Sequence, residues 1–197
     1  MPNMPRAAQV FEIFIASPGD TFEEREIVTK AIHEWNAIHY RKTDAFLHPV
    51  KWESHSYPTL DGRPQSIINK KLLSHADLLV ALFKWRLGQD SGQYVSGTIE
   101  EIEECYQAGI PILLYFYDTP PSPPLFGLTS YLFGGYAEEM QKYGKALSDF
   151  DHVVRYRKRY ESRGIIGPYR TFQEFEILIR RQLGQAVAEL LTKHKAT

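Results

Sequence analysis

At 197 residues, 43% apolar and 24% charged, the chain is long enough for one domain with a substantial core and has the balance of a globular protein. A formal net charge of −1 gives no global field to gather nucleic acid or an anionic membrane. A lone cysteine, Cys105, excludes an intramolecular disulfide and a cysteine-rich zinc site.

The one basic cluster, Arg155-Tyr156-Arg157-Lys158-Arg159, has acidic neighbours and reads as a solvated helix face. The opening Met-Pro-Asn-Met-Pro-Arg lacks the charged and apolar regions of a signal peptide. No apolar run approaches the roughly 18 residues that a membrane-spanning helix needs. The expected compartment is therefore the cytoplasm.

In chain order, Val10–Ala16 is rich in β-branched and aromatic residues and stops at Ser17-Pro18-Gly19-Asp20, as a buried strand followed by a tight loop would. Thr21-Phe22-Glu23-Glu24 has the form of a capping box opening a helix. Phe22, Ile27, Ala31, Ile32, Trp35 and Ile38 then recur near helical spacing up to His39. Phe46–Trp52 reads as the second strand, followed by a loop with Pro58, Gly62 and Pro64 and a short helix from about Gln65 to His75. Asp77–Phe83 is almost wholly apolar, as a central strand buried on both faces would be. A polar loop leads to a helix over Thr98–Ala108 with Gly109 suited to its C-terminal cap. Ile110–Phe116 is the fourth strand, with Pro111 tolerable at its start.

Beyond residue 117 the pattern loosens. Pro120, Pro121, Pro123 and Pro124 break the chain, and a long helical stretch runs from about Ala137 to Arg163. Gly164–Tyr169 has room for a short edge strand. A last amphipathic helix spans about Thr171–Lys193, with Phe172, Phe175, Ile179, Leu183, Val187 and Leu190 on one face. Strands alternating with helices predict an α/β fold with a central parallel sheet built from right-handed crossovers. The expected organisation is a single domain, its core over about 10–117 and its helical portion, about 137–194, packed on that core.

In such a sheet, ligands bind outside the carboxyl ends of the strands. Four segments converge there: Ser17–Asp20, Trp52–His55, Lys84–Gly88, and Ser96-Gly97-Thr98 with Glu100 and Glu101. They offer small residues for close backbone approach, helix N-termini for phosphate, aromatic faces for a base, and carboxylates. There is no Walker loop, G-x-G-x-x-G or H-E-x-x-H. The seven histidines, His48, His55 and His75 among them, show no metal-ligand spacing and read as structural or surface groups, so no metal or cofactor is expected. Cys105 shares the expected buried face of its helix with Ile102 and Tyr106 and reads as an inert core thiol.

Phe14–Arg25, Val50–Glu53, Ala76–Phe83 and Ser96–Ile102 occur in this order and spacing. Together they resemble the TIR-like (Toll/interleukin receptor-like) domain of bacterial defence and signalling proteins, including those fused to STAND-type ATPases. The resemblance covers about residues 10–117. It implies a flavodoxin-like three-layer fold, shared more distantly with nucleoside deoxyribosyltransferases. It also implies N-glycosidic bond cleavage, on NAD in the one group and on nucleosides in the other.

In the related pattern S-G-T-x-x-E-I, the glutamate carried by the helix after a core strand falls on Glu101. The S-x-W-C-x-x-E lead-in of typical TIR enzymes is missing. Nicotinamide leaves NAD as a neutral molecule from a cationic precursor and needs no general acid, so a carboxylate beside an oxocarbenium-like transition state suffices. Helical spacing sets Glu101 beside Thr98 and Cys105 and turns Glu100 and Glu104 more to solvent. The same Thr98-x-x-Glu101 spacing is also a capping box, which calls for no catalysis.

Ser17, Pro18, Gly19, Asp20, Ser96, Gly97 and Thr98 are then candidate ligand contacts. Trp52 is a stacking surface or a core residue, Arg86 a pyrophosphate clamp or a surface arginine, and Asp20 or Thr21 a helix cap. Three functions follow: an NAD-cleaving N-glycosidase; a non-enzymatic module working through self-association or a partner defence protein; or a deoxyribosyltransferase-like hydrolase of nucleosides or nucleotides.

Overall fold

The computed structural model describes residues 7–51, 73–124 and 135–195. Five strands form one all-parallel sheet in the order β2-β1-β3-β4-β5. They are β1 (Gln9–Ala16), β2 (Ala45–Val50), β3 (Leu78–Phe83), β4 (Ile112–Tyr117) and β5 (Gly167–Tyr169). Four α-helices are described: α1 (Phe22–Thr43), α2 (Gly97–Ala108), α3 (Tyr136–Glu161) and α4 (Phe172–Lys195). A 3-10 turn at Leu73–His75 precedes β3. The rest of the short helix expected over residues 65–75, and the segment Trp52–His55, lie outside the described residues. This is the flavodoxin-like three-layer α/β fold, its strand order turning outward on both sides of β1 and β3.

Side chains alternate between the two faces of each strand. On one face Phe11, Ile13, Ile15, Leu78, Val80 and Leu82 meet α1 and α4. On the other, Phe14, Ala16, Leu79, Ala81 and Phe83 meet α2 and α3. β3 lies between two paired neighbours and is buried at all six positions, so its apolar run serves both layers. α4 buries Phe175, Ile179, Leu183, Val187 and Leu190 in the first layer, while Phe172 at its start is 38% exposed.

The outer edge of β2 is closed by a side chain. Asn36 of α1 donates from Nδ2 to the Leu47 carbonyl at 2.8 Å, and its Oδ1 accepts from the Leu47 amide at 2.8 Å, standing in for a further strand. At the opposite edge, Gly167 is where the Tyr115 ring lies over β5. A Cβ there would sit 2.5 Å from the ring.

Several local expectations give way. α1 continues past His39 to Thr43, and Phe22 and Ile38 are mostly exposed, because the buried stripe runs instead through Val28, Ala31, Ile32 and Trp35. Thr21 and Glu24 form no capping box: the Thr21 hydroxyl donates back to the Pro18 carbonyl at 2.7 Å, and Glu24 is drawn to partners outside the helix. Thr98 and Glu101 form none either. Ser96, in extended geometry, is the N-cap, and its Oγ accepts from the Ile99 amide at 3.2 Å, so Thr98 already lies inside the first turn. Asp77 precedes β3 and clasps β1, its carboxylate accepting from the Glu12 amide at 2.8 Å. Pro111 delays β4 to Ile112. The basic cluster is only partly solvated, since Arg157 pairs with Asp118 and Glu161.

Candidate functional site

At the carboxyl end of β1 the chain turns sharply. Both the backbone N–H and the hydroxyl of Thr21 donate to the Pro18 carbonyl, at 3.3 and 2.7 Å, which fixes the Ser17–Asp20 turn. Asp20 then reaches across to the loop after β3, where its Oδ2 accepts from the Trp85 amide at 3.0 Å. The Arg86 guanidinium stands 3.9 Å from the same oxygen, its side chain more than half exposed. The Trp85 indole donates to the Thr119 carbonyl at 3.0 Å, tying the loop after β3 to the one after β4.

The turn also meets the start of α2. Gly88 has φ +106°, which a residue with a Cβ rarely adopts, and a Cβ there would lie 3.4 Å from Ser96 Cβ and 3.7 Å from Pro18 Cγ. Pro18, Gly88 and Ser96 are thus packed together. Three of the four loop segments expected at this edge converge. Trp52 belongs to the fourth and lies outside the described residues.

Beneath the turn is a polar cluster that the sequence does not announce. Glu24 has no solvent exposure, and its Oε1 takes both the Lys84 ammonium, at 3.2 Å, and the Tyr169 hydroxyl, at 3.1 Å. Lys84 is itself boxed by aromatic faces, 5.1 Å from the centroid of Trp85, 5.5 Å from Tyr117 and 4.8 Å from Phe172. Burial, with the neighbouring Glu24 charge, pushes the Tyr169 phenol far above the ordinary tyrosine range, so it stays a neutral donor. Three polar atoms here, Ser17 Oγ, Asp20 Oδ1 and Glu24 Oε2, are buried with no hydrogen-bond partner among the described residues.

Glu101 sits on α2, the helix that starts at this edge, and is 5% exposed. Glu100, expected to face solvent, is more deeply buried at 1%. Every residue from Thr98 to Glu103 is buried, so this part of α2 has no solvent-facing side left for Glu100. Glu103 is buried too, and accepts at Oε1 from Arg163 at 2.7 Å and from Tyr160 at 3.3 Å. Gly97 and Thr98 form the first turn of α2 beside Ser96. Cys105 and Ile102 are buried, but Tyr106, expected on the same face, is 54% exposed, its ring turned out against the Arg163 guanidinium. Burial first, then the Glu101 charge, raises the Cys105 thiol to about 12, in keeping with an inert core residue.

No three His, Cys, Asp or Glu side chains among the described residues are grouped to hold a metal ion. No described helix is long and apolar enough to cross a membrane. Residues 12–184 match the model of a family described as a domain of unknown function, DUF4062. The chain belongs to the DUF4062 family. The matched span runs from β1 into α4, so this DUF4062 domain takes in every strand and every segment of the candidate site. No curated protein matches the chain.

Lys84, Glu24 and Tyr169 were not singled out by the sequence. Glu24 looks like the closing glutamate of a capping box, and Lys84 like the first polar residue after a strand. The available signal is the lysine itself, placed directly at the carboxyl end of a strand buried on both faces.

Proposed function

We propose that this DUF4062 domain is a TIR-like nucleotide N-glycosidase that cleaves NAD and releases nicotinamide in a bacterial defence or signalling role. The observation that carries the reading is the convergence of the β1, β3 and α2 loops at the carboxyl edge of a flavodoxin-like sheet, where several carboxylates are buried. In this reaction the C1′–N bond breaks and its electron pair neutralises the pyridinium nitrogen. Water adds its oxygen to C1′ and loses a proton. Glu101 is the carboxylate assigned to the positive charge that develops on the ribosyl ring.

The test is to incubate the purified protein, also at high concentration to favour self-association, with NAD, NADP, nucleosides and nucleotides, and to chromatograph the products. Nicotinamide release by the wild type and a loss of about a hundredfold or more in Glu101→Gln is the expected result. A free nucleobase from nucleosides alone would assign the deoxyribosyltransferase-like chemistry instead. Equal activity in Glu101→Gln would remove Glu101 from the mechanism.

One observation favours the interaction-module reading. Ile165 is fully exposed at the mouth of an apolar cavity of about 240 Å³ lined by Ile102, Tyr106, Ile112, Leu114 and Tyr160. A wild type inert on every substrate, together with an oligomer that Ile165→Asp dissociates in sedimentation, would select that reading.

A further inference from the structure

From the buried oxygens around the β1–α1 turn we infer a subsite that receives the hydroxyl groups of a ribosyl ring, formed by Ser17 and Asp20 and backed by Glu24. The inference rests on the nucleotide reading above and deepens it.

The chemistry of the three atoms selects the ligand. Asp20 Oδ1 and Glu24 Oε2 are carboxylate oxygens and can only accept, while Ser17 Oγ can accept or donate. What this place lacks is donors. Phosphate brings further negative oxygens towards two carboxylates and fits poorly. A cation fits poorly as well, because each carboxylate already faces one: Lys84 lies 3.2 Å from Glu24, and Arg86 lies 3.9 Å from Asp20. With two negative and two positive groups the local charge is balanced, which suits a neutral donor of several O–H groups. A ribose diol is such a group and is present in NAD and in unmodified ribonucleosides.

The cost of an unpartnered buried oxygen supports this. Each buried polar group without a partner costs about 1–3 kcal/mol, and three such atoms, unpartnered among the described residues, occur within one turn and the helix it opens. The described residues hold these atoms in place by satisfying their neighbours only: Asp20 Oδ2 on the Trp85 amide, and Glu24 Oε1 on Lys84 and Tyr169. Within the turn, Gly19 has no heavy atom within 4 Å of where a Cβ would stand, and Arg86, 3.9 Å from Asp20, is mostly exposed and only loosely paired.

The test uses the full chain and calorimetric binding of NAD, adenosine, 2′,3′-dideoxyadenosine and inorganic phosphate, to the wild type and to Ser17→Ala and Asp20→Asn. Adenosine should bind about tenfold or more tightly than its dideoxy analogue to the wild type, the difference that one or two buried hydrogen bonds make. Ser17→Ala should lose about tenfold for adenosine and nothing for the dideoxy compound. Its melting temperature should hold or rise, because an unpaired buried hydroxyl has been removed. Inorganic phosphate should not compete. Equal affinity for the two nucleosides, or a Ser17→Ala loss shared by both, would overturn the subsite while leaving the nucleotide reading in place. A melting temperature that falls in Ser17→Ala with affinities unchanged would show that the hydroxyl serves the fold, through an ordered water, and would also overturn it. No binding of any ribosyl probe at millimolar concentration, with no turnover, would overturn both.

Discussion

Two clusters in this molecule use the same three chemical groups, a buried glutamate, a cation and a tyrosine, to different ends. Glu103 of α2 joins Arg163 and Tyr160 at the end of α3, with Arg159 at 3.8 Å. Glu24 of α1 joins Lys84 and Tyr169 at the carboxyl edge of the sheet. In the first, the cation is a guanidinium with a third of its side chain in water and its plane against Tyr106, and no atom is left orphaned among the described residues. In the second, the cation is a compact ammonium, nine-tenths buried inside three aromatic faces, and one oxygen of its carboxylate is unpaired among the described residues. The first is a clasp between helices. The second spends stability on a polar interior at the edge where parallel α/β sheets bind ligands, and it sits directly under the Ser17–Asp20 turn.

Removing the two glutamates should separate the clusters most widely. Glu24→Ala strands a buried ammonium and a phenol and should cost about 3–5 kcal/mol in urea unfolding. Glu103→Ala should cost about 1 kcal/mol, since Arg163 can turn to solvent. Similar losses would mean that the two clusters are equivalent clasps.

The next effect reaches the edge cluster through its strand. Gly167→Ala puts a methyl into the Tyr115 ring, which must push β5, and with it the Tyr169 hydroxyl, away from Glu24. A loss of about 1–3 kcal/mol is expected. Gly164, with open space at its Cβ, should accept Ala with no comparable penalty. Thermal melts of the two variants give the comparison directly.

Smaller still is the removal of single hydroxyls. Tyr169→Phe should cost about 1–2 kcal/mol, because it takes a donor from a fully buried charge. Tyr160→Phe, whose contact to Glu103 is longer and shared with an arginine, should cost less than half of that. The reverse order would place the more demanding polar interior at α3 instead.

Cys105, on the same helix as Glu101 and Glu103, gives the mildest test. Its thiol is raised to about 12, so the folded protein keeps a proton that the unfolded chain gives up near pH 9. This contribution is complete below about pH 9 and is lost as the pH rises towards 12. The three raised tyrosines, Tyr115, Tyr160 and Tyr169, act in the same direction. Unfolding free energy should therefore fall with alkaline pH, with a shallower slope in Cys105→Ala. A thiol reagent at pH 8 should label the protein only in denaturant.

Much of the scaffold is legible in the order of the residues, because hydrophobic periodicity is a local property. The apolar run before Phe83 could only be a strand buried on both faces, and Phe175, Ile179, Leu183, Val187 and Leu190 could only be one face of a helix. Ser17–Asp20, Arg86 and Ser96 were also legible as loop residues at the carboxyl edge, since the alternation of strands and helices fixes which loops share an edge. The caps were not legible. Thr21, Glu24, Thr98 and Glu101 all fit a capping pattern, and whether a side chain caps its helix depends on what else competes for it.

By itself, then, the sequence determined the parallel α/β sheet, its alternating helices and the edge at which the loops after β1 and β3 would gather. Only the tertiary structure decided that Glu24 leaves its helix end for Lys84 and Tyr169, that Glu100 is as buried as Glu101, and that three oxygens beneath the first turn are unpartnered among the described residues. The reason is physical. Periodicity is written in neighbouring residues, whereas the partner of a buried charge is set by which strands and helices are brought side by side, and in this chain Glu24, Lys84 and Tyr169 come from three separate elements.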